Sequence, residues 1–447
     1  MTAALRRSIG PLEAPNFRRF FAGQLASLTG TWVQTVAELW LVLSITGSAV
    51  SLGLTTAFQF APMLLVAAGA GVLADRFPKR RILLITQSAM VLPALALFTL
   101  TVSGAIELWM IWALVFARGL ANAVDHPVRQ AFVIEMVGPE RLASAVSLNA
   151  ALVSAARMAG PAVGGVLIAT AGVAACFALN ALSFVPVLWA LARIDAGGLH
   201  ITPIPAGAPR ATLRGGLRYV RGNPDLLVPL AVTALVGTLA FNYPVVLPLL
   251  ARFTFESGAA GYGALAAAMG AGAVLGALAN AGRRHAPRHS DVVALSAAFG
   301  AAGLLAAAAP TFPLAIAALV LLGAASTAFS ATVNAILQLQ AEPAMRGRVV
   351  ALFSMVFLGS TPIGGPAVGY VCEHLGARAG LLVGAFAALG AAVFVRRLLA
   401  RGVIGKGKAA RPCERTARPR RPRATAPAGP RRGEPAGRGL ASAPAER

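Results

Sequence analysis

The fragment GPAVGG, Gly160 to Gly165, returns with one change as GPAVGY, Gly365 to Tyr370, 205 residues further along the chain. The same shift aligns GVLAD, residues 71–75, with GALAN, residues 276–280. One ungapped register therefore joins two separate parts of the chain to their second copies. We interpret the sequence as two copies of one structural unit placed in tandem.

The composition is that of a membrane protein. Of the 447 residues, 57% are hydrophobic and 12% are charged, whereas soluble domains carry roughly 25% charged residues. Apolar runs that as helices would cross a hydrocarbon core of roughly 30 Å recur along most of the chain. The first run begins only at residue 20 and lacks a small-residue cleavage site, so we expect it to stay in the membrane. We predict twelve spans, called spans 1 to 12, at residues 20–45, 51–73, 82–102, 107–126, 145–170, 173–193, 226–250, 260–281, 292–310, 313–336, 348–371 and 378–399.

The repeat divides these spans into two sets of six. Because six crossings return the chain to its starting side, both halves enter the membrane in the same orientation, related by an axis along the membrane normal. The predicted fold class is an all-α integral membrane protein with twelve transmembrane helices in two pseudo-symmetric six-helix halves and a cleft between them. The domains would be residues 1–193 and 226–400, joined by a cytoplasmic linker at 194–225 and followed by a tail at 401–447.

The two segments outside the spans differ in composition. In the linker, residues 212–220 place leucines and valine at helical spacing beside arginines, which suits a short helix on the membrane surface, although a solvated connector fits equally well. The tail consists largely of Pro, Ala, Gly and Arg and cannot bury a core, so we expect it to be disordered.

The net charge of +23 raises the possibility of a nucleic-acid partner. The 39 Lys and Arg residues are, however, distributed by topology. With the N-terminus inside, Arg252 and Arg378 are the only two in or at the edge of an outer loop, and Arg118 and Arg157 are the only two in the interior of a span. This asymmetry follows the positive-inside rule. We therefore expect a multi-pass protein of the cell membrane with both termini cytoplasmic and no nucleic-acid partner.

The sequence contains none of the motifs expected of a membrane enzyme. Its three cysteines, Cys176, Cys372 and Cys413, lie far apart without a CxxC pair, and no HExxH or Walker sequence is present. A sensor or scaffold would need an appended domain, for which the linker and tail are unsuited. Of the three classes, enzyme, sensor and transporter, we favour a transporter that hydrolyses no ATP and needs no cofactor or metal.

The stretch GVLADRFPKRR, residues 71–81, resembles the loop between spans 2 and 3 of the major facilitator superfamily, whose pattern is Gly-x-x-x-Asp-Arg-x-Gly-Arg-Lys/Arg. Pro78 stands where glycine is usual. The resemblance implies a cytoplasmic gate in which the aspartate meets the start of span 11 and joins an acid that closes span 4, a place that Asp125 occupies. The alternative is an ordinary basic loop. The predicted gate residues are Gly71, Asp75, Arg76, Lys79, Arg80 and Asp125.

The repeated fragment belongs to ARMAGPAVGG, residues 156–165, which resembles a span 5 pattern associated with exporters of this superfamily. Small residues let two helix backbones approach, and a proline removes one backbone donor and permits a bend. A packing seam without any bearing on transport direction is the alternative. The predicted hinge and packing residues are Gly160, Pro161, Gly164 and Gly165 in span 5, and Gly365, Pro366 and Gly369 in span 11.

Two longer stretches, beginning NFRRFFAGQ at residue 16 and RGLANAVDH at residue 118, look like the drug and siderophore exporter branch of the superfamily. The resemblance covers roughly residues 16–400 and implies proton-driven efflux, by antiport, of a drug-like or siderophore-like organic molecule. We expect the protein to be monomeric in the lipid bilayer. Facilitated diffusion, uptake by the same fold, and a non-transporting sensor remain alternatives.

Charged residues inside spans cost on the order of 2.5 to 3.5 kcal/mol on insertion scales and normally face a partner or a cavity. Glu38 in the outer half of span 1 can bind and release a proton, or its side chain can reach the interface instead. Arg118 matches an arginine in span 4 of the superfamily and would bias a carboxylate or contact substrate. Arg157 in span 5 is a ligand or a structural partner of Glu135. Further polar candidates are Gln34 and Asn122.

Overall fold

Within the part of the chain that the structure describes, twelve helices are long and apolar enough to cross a membrane, as the sequence predicts. The computed structural model describes residues 10–200 and 213–405 except Arg284 and Ala344, and it leaves out the side chains of residues 67–76, 139–140, 143, 196 and 213–214. In chain order the spans are Pro15–Thr46, Ala49–Arg76, Lys79–Val102, Leu108–Gly138, Ser144–Ala171, Val173–Ala192, Pro224–Thr254, Gly258–Ala281, His289–Ala308, Phe312–Gln340, Arg346–Leu375 and Ala377–Ala400.

The number of crossings defines two sides of the bundle. Twelve is an even number of crossings, so the start of span 1 and the end of span 12 lie on the same side. We call this the near side and the opposite one the far side. Short helices outside the spans are Gly10–Glu13, Ala196–Gly198 and Leu213–Arg221.

Span 4 is longer than predicted. The sequence predicts that span 4 ends at residue 126, where polar residues begin. The helix instead continues to Gly138, whose φ of 71° turns the chain into span 5. Val128, Phe132 and Met136 recur every four residues and are buried, so one helix face stays in the core although the other is polar. Asp125 consequently does not close span 4, and its part in a gate stays a prediction.

Spans 7 and 11 are each broken near the middle. Span 7 consists of the helices Pro224–Ala240 and Tyr243–Leu249, and it ends in a π-helical turn. Span 11 is broken at Ser360. A proline, Pro244 or Pro362, stands in the first turn after each break, where its missing N–H removes no helical hydrogen bond.

The two prolines of the repeated fragment do not interrupt the helices. Pro161 and Pro366 both lie inside uninterrupted helical segments. A hinge at either residue stays a prediction.

The helices pack in two groups that meet along two seams. Span 1 packs on spans 5 and 6 in the first group, and span 8 packs on span 10 and span 9 on span 12 in the second. Across the groups, span 5 contacts span 8, and span 11 contacts span 2. A shift of six spans along the chain converts the contact between spans 5 and 8 into the contact between spans 11 and 2, as a parallel repeat requires.

Glycines allow the backbones to approach at both seams. A Cβ atom placed on Gly165 would lie 2.7 Å from the Cα of Gly263, and one placed on Gly53 would lie 2.7 Å from the carbonyl carbon of Gly365. The repeated fragment therefore lies at the contacts between the halves.

The linker contains a helix where one of the two interpretations placed it. Residues Leu213–Arg221 are helical, Val220 is fully buried, and the Tyr219 hydroxyl accepts a hydrogen bond of 3.1 Å from the Glu342 amide. The helix therefore packs against the loop before span 11. The predicted disordered tail lies outside the described residues from residue 406 onward.

Candidate functional site

Glu38 and Arg118 form an ion pair inside the first half. The Arg118 Nη2 lies 2.6 Å from the Glu38 Oε2, and Arg118 is 5% and Glu38 1% exposed. Gln34, one turn earlier on span 1, donates from Nε2 to the Glu38 Oε1 at 2.7 Å. Asn180 of span 6 donates in turn to the Gln34 Oε1. A hydrogen-bonded chain thus links spans 6, 1 and 4, and Glu38 does not reach the interface.

Two features of the sequence build this pair. Gln34 and Glu38 are four residues apart and therefore lie on one face of span 1. Gly119 follows Arg118, and a Cβ atom placed there would lie 2.6 Å from the Gln59 carbonyl oxygen, so only a glycine admits span 2 this close to span 4. Because the pair is buried, losing either charge would leave the other without compensation.

One member of this hydrogen-bonded network was not predicted from the sequence, and one predicted residue lies outside it. Asn180 was not singled out, although an amide within the apolar stretch FALNALSF, residues 177–184, is a signal that could have found it. Asn122 is exposed and makes no hydrogen bond with a described residue. The structure therefore does not bring Asn122 to the ion pair.

A cavity of about 410 Å³ lies between the two halves. Spans 1, 2 and 5 of the first half and spans 7, 8, 10 and 11 of the second contribute to its wall. The wall is largely apolar, with several Ser and Thr residues; its aromatic residues are Trp32, Phe60, Phe241, Tyr243, Tyr262 and Phe357. Pockets for small organic ligands span roughly 300–1,000 Å³ and are lined in this way.

Arg157 is the charged residue in this wall. Its guanidinium carbon lies 5.4 Å from the centre of the Trp32 ring, and the side chain is accessible in the middle of span 5 because it faces the cavity. The suggested pairing with Glu135 does not occur, since Glu135 binds the Lys79 ammonium group at 2.6 Å.

The near-side gate residues that can be described bind within the first half. Arg80 donates to the carbonyls of Leu191 and Ala192 at the end of span 6, at 2.7 and 2.8 Å. Asp125 is fully buried and accepts hydrogen bonds of 2.9 Å from Thr86 and 2.8 Å from Gln87. The surroundings of Gly71, Asp75 and Arg76 lie outside the described residues.

On the far side, polar groups join the two halves. The Glu373 carboxylate at the end of span 11 accepts hydrogen bonds from the Ser48 hydroxyl at 3.2 Å and from the backbone amides of Ala49 and Val50 at the start of span 2. Arg252 of span 7 donates to the Leu43 carbonyl of span 1 at 2.7 Å. No ion pair joins the halves on the near side among the residues described. These far-side contacts were not predicted from the sequence.

Two six-helix groups around a central cavity define a membrane transporter of the major facilitator superfamily. The chain matches the model of the transmembrane secretion effector family over residues 6–415 and belongs to that family. This confirms the predicted superfamily and the assignment as a multi-pass membrane transporter rather than an enzyme.

Known relatives and structures agree with this assignment. The staphyloferrin A transporter of Staphylococcus aureus is 30% identical over 241 residues, which are 53% of this chain and 59% of that relative. The enterobactin exporter EntS of Escherichia coli is 28% identical over 360 residues, 79% of this chain and 85% of that relative. The solved nucleoside transporter NupG has a similar fold, with a TM-score of 0.67 at 13% identity, covering 86% of this chain and 99% of NupG.

Proposed function

We propose that the protein exports an organic molecule, siderophore-like or drug-like, by alternating access coupled to protons. The observation that carries the proposal is the central cavity, which lies between two halves that are joined by polar contacts on the far side. With the near side cytoplasmic, as the charge distribution predicts, such a cavity would load from the cytosol. Two relatives named for staphyloferrin A and enterobactin support a siderophore-like cargo, and one of them is named an exporter.

The Glu38–Arg118 pair is the proposed proton site. Glu38 lies one residue before Leu39, which lines the cavity, and its own carboxylate is held by Arg118 and Gln34. A proton on Glu38 would remove the negative charge that holds Arg118 and so release span 4 from span 1. Cargo binding and proton binding would then favour different arrangements of the same helices.

The predicted gate and the oligomeric state belong to the same proposal. Asp75 and Asp125 would act on the near side when the transporter closes there and opens on the far side. We also propose that the protein works as a monomer in the bilayer, as expected from the sequence.

The first experiment identifies a cargo. Cells with and without the protein are compared for susceptibility to a panel of antibiotics and iron chelators, and for the amount of each compound that they retain. Export predicts lower retention and lower susceptibility for the cargo. Higher retention in the cells that carry the protein would contradict export and would support the alternative of uptake.

The second experiment tests coupling. The purified protein in proteoliposomes is given that cargo, with and without an imposed pH gradient. We expect gradient-driven accumulation that Glu38→Gln abolishes while downhill exchange persists. Glu107→Gln, which removes an exposed far-side carboxylate, serves as the matched control and should retain coupling. Equal wild-type rates with and without the gradient would contradict proton coupling and leave facilitated diffusion.

A further inference from the structure

The geometry points to the chemical class of the cargo: we infer that the cavity binds an organic anion that carries an aromatic ring, with Arg157 as its anion-binding residue. The inference rests on the proposed function for its site, but it concerns binding alone. It follows from three properties of the cavity wall: its charge, its rings and the way the repeated fragment places them.

Among the described residues that line the cavity, the wall carries one positive charge and no negative charge. Arg157 is the one ionisable residue of Lys, Arg, Asp or Glu type among the residues that line the cavity, and it forms no ion pair or hydrogen bond with a described residue. The second copy of the repeat adds no matching charge, because the register places Pro362 at the position of Arg157. A guanidinium group offers five N–H donors in a planar fork that matches carboxylate geometry. An anionic group on the cargo would supply the partner that the described residues do not.

One aromatic ring contacts that charge, and other aromatic residues share the cavity wall. The Trp32 ring lies against the Arg157 guanidinium, and Tyr262 and Phe60 belong to the same wall. Aromatic side chains bind ring-bearing ligands through offset or edge-to-face contacts. The hydroxyl-bearing residues of the wall, which add uncharged hydrogen-bonding groups, include Thr35, Ser326 and Ser330. The wall thus suits a ring that bears a negative group better than a cation or a purely aliphatic molecule.

The repeated fragment explains why Arg157 and Trp32 meet. A Cβ atom placed on Gly160, three residues after Arg157, would collide with the Cβ of Trp32, so the glycine at this position seats the indole against span 5. Pro161, next in the fragment, lines the cavity. The motif ARMAGP, residues 156–161, therefore builds the cationic wall of the cavity as well as a packing seam.

The test compares three isosteric probes on the full-length protein in lipid nanodiscs by equilibrium dialysis, with empty nanodiscs subtracted. The probes are 2-naphthoate, the neutral 2-naphthamide and the cationic 2-naphthylmethylammonium. Wild-type protein should bind 2-naphthoate about ten-fold or more tightly than the amide, as expected for a charge-assisted hydrogen bond, and the ammonium most weakly. Equal binding of the three probes, or tightest binding of the ammonium, would overturn the inference without reference to any variant.

Variants then assign the charge to Arg157. Arg157→Gln should reduce the preference for 2-naphthoate over the amide to less than about two-fold, and Arg157→Lys should retain part of it because the positive charge remains. The matched control is Arg193→Gln, because Arg193 lies 5.6 Å from the Trp189 ring in a second arginine–tryptophan pair outside the cavity. An unchanged preference in folded Arg157→Gln, or an equal loss in Arg193→Gln, would contradict the assignment. The binding assay needs no gradient. If the proteoliposome experiments contradict proton coupling or export, the binding result is unaffected. If the binding result contradicts the anion site, coupling and direction are still tested by transport.

Discussion

The Arg118 guanidinium of span 4 lies 2.6 Å from the Glu38 carboxylate of span 1, and both groups are removed from solvent. Removing one partner of a buried pair typically costs about 3–5 kcal/mol, because the remaining charge is buried without compensation. We predict that Arg118→Met lowers the free energy of unfolding by about this amount, and that adding Glu38→Gln recovers much of it. Chemical unfolding in mixed micelles measures both.

The control for this cycle is the exposed pair of Arg141 and Glu13, whose side chains lie 3.3 Å apart. Arg141→Met should change the free energy of unfolding by less than about 1 kcal/mol, as is usual for exposed ion pairs. Strictly additive effects of the Glu38 and Arg118 substitutions would show that the two groups are not coupled.

Gly165 should not tolerate a methyl group. The added Cβ would lie 2.7 Å from the Cα of Gly263, which is backbone and cannot move aside as a side chain can. Overpacking of this kind typically costs about 1–3 kcal/mol. We predict a lower thermal midpoint for Gly165→Ala in detergent. Gly390→Ala is the matched control within a span, because nothing lies within 4 Å of the added methyl, and it should match or exceed the wild type, since alanine favours helix. A midpoint for Gly165→Ala equal to that of Gly390→Ala would contradict the close contact.

Glu373 should hold the far side closed. Its carboxylate at the end of span 11 accepts hydrogen bonds from the first amides of span 2, where the positive end of the helix dipole favours an anion. Glu373→Gln keeps an acceptor but loses the charge, so we predict a larger population with the far ends of the halves apart. Electron–electron distance measurements between spin labels at the exposed residues Ile45 and Leu375, in a background without other cysteines, report this population.

Glu256→Gln is the control for that measurement, because Glu256 is an exposed acid in the connection after span 7 and therefore on the same side. It should leave the distance distribution unchanged. Identical distributions for the wild type and Glu373→Gln would show that this contact does not contribute to closure.

Much of the fold was accessible from sequence because the bilayer imposes simple rules. Span length, the even count and the repeat register follow from the thickness of the hydrocarbon core and from the need to satisfy backbone polar groups inside each helix. The end of span 4 did not follow, since its last turns pack one apolar face while exposing polar residues, and hydropathy averages the two faces.

The sequence by itself determined the class of the protein, the twelve crossings and the identity of three charged residues inside spans. Only the tertiary structure decided how those charges are used: Arg118 binds Glu38, whereas Arg157 faces the cavity. It also decided the hydrogen-bond partners of Asn180 and Glu373, which lie more than a hundred residues away in the chain. The physical reason is that a charged residue within a span indicates only that its charge needs a partner or water. Which of the two it has depends on how packing brings the helices together.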